Sequence, residues 1–90
     1  MGYSMREWAL KWIEGSLISL IKGNTPLNIV IGRIKRSIES YGVKPRDVMS
    51  LISSIESNPV YLPSLSSEEK TTKLKPVKDV IETMMGGCNV

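Results

Sequence analysis

Apolar residues along this chain recur at the 3.6-residue spacing of amphipathic helices, and no segment shows the strict alternation of a strand. The clearest stripe occupies one face of a predicted second helix and consists of Leu27, Val30, Ile31, Ile34, Ile38 and Tyr41. Shorter stripes follow at 48–55 and 77–84. The pattern therefore predicts an all-α fold.

Residues that start and stop helices divide this pattern into elements. Ser4 and Glu7 have the spacing of a capping box, and Gly23 is a typical residue just after a helix, so a first helix is predicted to run to about Lys22. Gly42 and Pro45 separate the second helix from a third, and Asn58-Pro59 ends the third. Because the loops are short, successive helices should be neighbours, and we expect a three-helix bundle core at 4–57.

The C-terminal third has a different character. Pro59, Pro63 and several Ser residues predict an extended Pro-rich strap or linker at 58–75, in which a mixed-charge run around Lys70 stays solvated. Pro76 is expected to open a short C-terminal helix at 76–85, since proline favours the first helical position. Residues 86–90 are predicted to form a flexible tail. Whether the strap packs on the core stays open.

The first helix is apolar around more than half of its circumference. Two neighbouring helices could cover that much surface, or part of it could bind a partner protein or a second copy of the chain. We expect Trp12 to lie inside and Trp8, at the edge of the apolar arc, to anchor an interface. The predicted partner-binding residues are Trp8, Leu10, Gly15, Ser19 and Ile21.

Composition excludes several kinds of active site. The chain has no His and a single Cys, which excludes a disulfide framework and disfavours zinc and His-based catalysis. We therefore expect no enzymatic activity, no cofactor and no metal. No apolar stretch approaches the roughly 18 residues of a membrane span, and we expect a cytoplasmic protein. Abundant Ile, Lys and Glu without Gln is typical of a thermophilic source.

Positive charge is concentrated in the middle of the chain. Six basic residues and only one acidic residue, Glu39, lie between positions 22 and 46, which favours contact with a polyanion such as the DNA or RNA backbone. A solvated helix face is the alternative explanation. The predicted nucleic-acid-binding residues are Lys22, Arg33, Lys35, Arg36, Lys44 and Arg46.

The stretch Gly42-Val43-Lys44-Pro45-Arg46-Asp47-Val48 resembles the turn and the start of the recognition helix in helix-turn-helix proteins. This resemblance implies that the third helix enters the major groove of DNA. The chain departs from the family pattern at Ile38, where the family has a small residue. The outward face of the third helix also has few side chains that read bases.

Together these features predict a non-catalytic accessory subunit or adaptor that binds a larger protein, in an assembly that processes nucleic acid. A small, dimeric helix-turn-helix DNA-binding protein is the alternative. A homo-oligomer that pairs through the first helix, without a role in nucleic-acid binding, is a third hypothesis.

Overall fold

The computed structural model describes residues 4–86, and within this range the fold consists of helices without a strand. The four helices are α1 (Met5–Lys22), α2 (Leu27–Ser40), α3 (Pro45–Ser57) and α4 (Ser67–Gly86). The all-α class predicted from the periodicity is thereby confirmed. None of these four helices combines the length and the apolar character needed to cross a bilayer.

Local chemistry sets both ends of α1. The Glu7 amide donates to Ser4 Oγ (3.2 Å) and the Ser4 amide donates to Glu7 Oε1 (3.4 Å), which completes the predicted capping box. At the other end, Gly23 adopts φ +84° and its amide donates to the Leu20 carbonyl (3.0 Å). Glycine adopts this left-handed conformation without steric cost, so the helix ends where the sequence predicts.

The wide apolar face of α1 is accounted for by its neighbours, since α1 packs against α2, α3 and α4. Three partner helices cover more of its circumference than two would. Direct contact between α2 and α3 is the weakest of the helix pairs. The buried apolar residues form one cluster to which all four helices contribute: Ala9, Ile13, Leu17, Ile21, Val30, Ile34, Val43, Val48, Ile52, Ile55, Leu74, Val77 and Ile81.

The last helix starts much earlier than predicted. The sequence indicated a strap at 58–75 and a helix at 76–85, but α4 is continuous from Ser67 and carries Pro76 in its interior. Lys70, Leu74, Val77 and Ile81 are buried on one stripe that crosses the proline, whereas Pro76 itself is exposed. The packing of this stripe outweighs the local preference of proline for a helix start. The core therefore extends beyond 4–57.

Side chains of α4 cap the C-terminus of α3. In a continuing helix the Ile55 carbonyl would accept a hydrogen bond from residue 59, but Pro59 has no amide hydrogen. Lys70 Nζ supplies the missing donor at 3.0 Å and also donates to the Asn58 carbonyl at 3.2 Å. Ser67 Oγ donates to the next carbonyl, that of Glu56 (2.7 Å). Lys70 is only 1% exposed, so the prediction that it is solvated is wrong.

The segment between α3 and α4, residues 58–66, is a shorter strap than predicted. Tyr61, Leu62 and Leu65 pack against the core. Tyr61 Oη donates a hydrogen bond to the Glu14 carboxylate on α1, and this bond raises the pKa of Tyr61. This hydrogen bond links the strap to α1. Of the predicted flexible tail, 86–90, only Gly86 belongs to the described residues, and it is the last residue of α4.

The start of α3 makes stability depend on acidity. The Lys44 amide donates a hydrogen bond to Asp47 Oδ2 (3.0 Å), and Arg6 Nη2 forms an ion pair with the same oxygen (3.0 Å). The hydrogen bond from Lys44, together with the contact with Arg6, holds the pKa of Asp47 below its ordinary value. A carboxylate whose pKa is lower in the native state than in the unfolded state stabilises the fold at pH values above the unfolded-state pKa. This contribution is lost as the pH falls through the native pKa. We expect Asp47→Asn to cost about 1 kcal/mol at neutral pH and the deficit to shrink below about pH 4.

Urea unfolding at a series of pH values measures this effect. Asp79→Asn is the matched control, because Asp79 is exposed and forms only a long pair with Lys75 (3.5 Å) on its own helix. Parallel pH profiles for the native protein and Asp47→Asn would contradict the expectation.

Candidate binding surface

Two tryptophans stack on the surface of α1. Trp8 and Trp12 are one helical turn apart, and their ring centroids lie 5.2 Å apart with an interplanar angle of 28°. Trp8 is 43% exposed, and Trp12 is half-buried. Tyr41, which directly follows α2, meets Trp8 edge-on at 5.8 Å and 88°. The three rings support one another in favourable aromatic geometries and form a patch at the junction of α1 and α2.

Arg33 on α2 is fixed against this patch. Its guanidinium carbon lies 5.6 Å from the centroid of the Trp12 ring, within the range of a cation–π contact. Its Nη1 donates to Ser16 Oγ (2.9 Å), and Ser16 Oγ donates to the Trp12 carbonyl (2.9 Å). Because a guanidinium carries five N–H donors, this single bond leaves most of its donors free for a ligand.

Arg36 lies one turn further along the same side of α2. Its Nε donates to Tyr41 Oη (3.3 Å), and its guanidinium carbon lies 6.0 Å from the centre of the Tyr41 ring. The hydrogen bond to Tyr41 raises the pKa of Arg36 above its ordinary value. Like any arginine, this side chain is positively charged at every relevant pH.

Neither arginine is neutralised by a carboxylate within residues 4–86. The ion pairs of this range join Arg6 to Asp47, Lys75 to Asp79 and Lys78 to Glu56. Arg33 and Arg36 instead contact aromatic rings and hydroxyl groups, which carry no negative charge. Five residues, which we call the Trp–Arg surface, thus combine flat apolar rings with two available cations: Trp8, Trp12, Arg33, Arg36 and Tyr41.

The residues predicted to bind a partner do not all share this surface. Trp8 belongs to it, and Gly15 is exposed on α1, while Ser19 is half-buried. Leu10 packs against the core and lines a shallow groove towards α3. Ile21 is a buried core residue, so a partner cannot reach it. The predicted partner-binding face of α1 was too wide, because α3 and α4 pack against part of it.

The predicted basic residues lie in two patches, with Lys22 apart from both. Arg33 and Arg36 join the Trp–Arg surface, whereas Lys35 faces a shallow groove that it shares with Met84. Lys44 and Arg46 line the adjoining groove beside Met84 and Met85. Lys22 is exposed at the end of α1. The single basic patch expected from the sequence is therefore two separate patches, because residues 33 and 35 lie on opposite sides of a helix.

Sequence reasoning missed two members of the Trp–Arg surface. Trp12 was expected inside and Tyr41 on the buried stripe of α2, but both are half-buried in the aromatic patch. The i, i+4 spacing of the two tryptophans was the available signal, since such pairs meet on a helix surface. The contribution of Tyr41 had no sequence signal because it depends on how α2 lies against α1.

No three His, Cys, Asp or Glu side chains come together as a metal site in the part of the chain that the structure describes. Comparisons with protein-family models, with curated proteins and with solved structures find no match to this chain. The Trp–Arg surface is thus the feature from which a function has to be inferred.

Proposed function

We propose that this protein is a non-catalytic accessory subunit of a larger protein assembly that processes nucleic acid, and that it engages a macromolecular partner through the Trp–Arg surface. The observation that carries this proposal is the stacked Trp8–Trp12 pair, which remains at the surface beside two arginines without acidic partners among the described residues. Exposed aromatic rings that lie together and are bordered by polar residues are typical of a binding site.

The residue types support a binding surface. Trp, Tyr and Arg are the side chains most enriched among residues that dominate binding energy at interfaces. Their mutual stacking and hydrogen bonds restrict their rotamers before a partner arrives, so less side-chain entropy is lost on binding. Four of its five residues also lie on α1 and α2, and helices position side chains more rigidly than loops do.

A helix-turn-helix DNA-binding protein is the second candidate. Gly42 adopts φ +78° in the turn, and Lys44 and Arg46 are exposed around the start of α3, as the resemblance implies. We rank this candidate second because α2 and α3 hardly contact each other, whereas the two helices of that motif normally pack together. Selective binding of one duplex sequence that depends on Arg46 would support it.

We expect the tagged Trp8→Ala variant to retain less of the macromolecules that the tagged native protein retains from its host. The mutation removes the exposed Trp8 ring from the aromatic patch. At a hot spot, such a truncation costs about 2 kcal/mol or more, or roughly 30-fold in affinity. Retained protein and nucleic acid are both quantified, with and without nuclease treatment, after a wash at about 0.15 M salt.

Val60→Ala is the matched control for this experiment. Within residues 4–86, Val60 is the most exposed large apolar residue, at 79%, and it lies on the strap, outside the Trp–Arg surface. Its truncation should leave the retained material unchanged. If Trp8→Ala retains as much protein and nucleic acid as the native chain, the proposed function is wrong.

A further inference from the structure

The chemistry of the Trp–Arg surface specifies one class of partner. Trp8, which stacks on Trp12, is 43% exposed, and its exposed ring area can accept another flat ring. Bases of a single strand have free π-faces, whereas those of a duplex are already stacked on their neighbours. A sequence-tolerant binder of single strands combines such aromatic platforms with cations that follow the phosphate backbone.

The charges of the surface match a polyanion. Arg33 and Arg36 are ion-paired with no carboxylate within residues 4–86, and each is oriented by an aromatic ring. Lys11 and Lys22 are exposed on α1 as well. Glu14, on the same helix, accepts the hydrogen bond of Tyr61 and so faces the strap. Guanidinium groups with free N–H donors match phosphate oxygens in geometry and charge.

We infer that the Trp–Arg surface binds single-stranded nucleic acid, with a base stacked on the exposed Trp8 ring and phosphates held by Arg33 and Arg36. This inference rests on the proposed function, because it names the partner of the same surface. A protein segment that carries acidic residues is the competing occupant, and the experiment below separates the two.

The intrinsic fluorescence of the protein reports on this surface directly, since Trp8 and Trp12 are the only tryptophans of the chain. The probes are fluorescein-labelled oligo(dT) and oligo(rU) of about 15 nucleotides, a length within the site sizes of known single-strand binders. A labelled DNA duplex of the same length is the comparison. We expect tryptophan emission to fall and probe anisotropy to rise together. Affinity should weaken by several-fold between about 50 and about 200 mM salt as counterions compete.

Three variants separate stacking from charge. Trp8→Leu keeps apolar bulk but removes the ring, and we expect a roughly ten- to hundred-fold loss of affinity, in line with the stacking of one base. Trp8→Phe should recover most of that loss. Arg36→Ala should reduce the slope of log affinity against log salt by about 0.7, the value for one phosphate contact on a single strand. The matched control is Arg46→Ala, an exposed arginine outside this surface, which should bind as the native chain does.

The outcomes distinguish this inference from the proposed function. If neither oligonucleotide changes the emission or the anisotropy at low salt, the inference is wrong. If protein is then still retained from the host through Trp8 after nuclease treatment, the proposed function stands with a protein as the occupant. The inference would also be wrong if the protein bound single strands and duplex equally and if Arg46→Ala abolished this binding while Trp8→Leu did not. That result would favour the helix-turn-helix candidate.

Discussion

Replacing Lys70 with alanine is expected to lower the free energy of unfolding by about 3 kcal/mol. Lys70 Nζ donates to the carbonyls of Ile55 and Asn58, and the side chain is almost completely buried. Hydrogen bonds from a charged donor contribute about 1.5–3 kcal/mol each. A cation at the C-terminus of a helix adds up to about 2 kcal/mol in a partly buried site.

The cost of burying the ammonium group offsets part of this gain. The net effect is still large because the donor cannot be replaced locally, since Pro59 has no amide hydrogen for the Ile55 carbonyl. Without Lys70, that carbonyl is left without a donor beneath α4, at a cost of about 1–3 kcal/mol. The truncation also removes the buried methylene groups of the lysine stem.

Urea unfolding of three variants tests this account. Lys70→Met keeps the apolar stem without the donors, and we expect it to lose about 1–3 kcal/mol, less than Lys70→Ala. Lys73→Ala is the matched control, because Lys73 is exposed on the same helix, and its effect should stay within about 0.5 kcal/mol. A fully stable Lys70→Met would show that the two hydrogen bonds do not stabilise the fold.

Pro76→Ala is expected to raise the free energy of unfolding by about 1–2 kcal/mol. Within a helix, proline is about 3 kcal/mol less favourable than alanine, because its ring meets the carbonyl four residues earlier and it donates no hydrogen bond. Proline also lowers the conformational entropy of the unfolded chain, and losing this effect in the alanine variant offsets up to about 1 kcal/mol of the gain. Pro76 is exposed, so the replacement removes no core contact.

The sign of this change distinguishes two structures of the C-terminal third. In a continuous α4, alanine adds a hydrogen bond to the Thr72 carbonyl and stabilises the helix. If a helix began at Pro76 after a strap, proline would be at its favoured first position and alanine would be neutral or destabilising. Pro63→Ala is the matched control, since Pro63 lies in the strap, and there we expect a decrease or no change.

The candidate site could be predicted only in part. The concentration of basic residues and the exposed Trp8 follow from the sequence, because helical periodicity places the arginines off the apolar stripe of α2 and Trp8 at the edge of the apolar arc of α1. Which of these residues lie together on the surface does not follow from the sequence. Arg33 reaches Trp12 and Ser16 across the α1–α2 contact, and Lys35 lies on the far side of α2, so one predicted patch became two.

The sequence by itself determined the helical class, the capping box at Ser4, the left-handed end at Gly23 and the end of α3 at Asn58. Each depends on interactions within a few neighbouring residues, which local patterns encode. Only the tertiary structure decided that α4 continues through Pro76, that Lys70 is buried and that the tryptophans stack beside two arginines. Those outcomes depend on contacts between residues far apart in the chain, whose combined energy outweighs local preference.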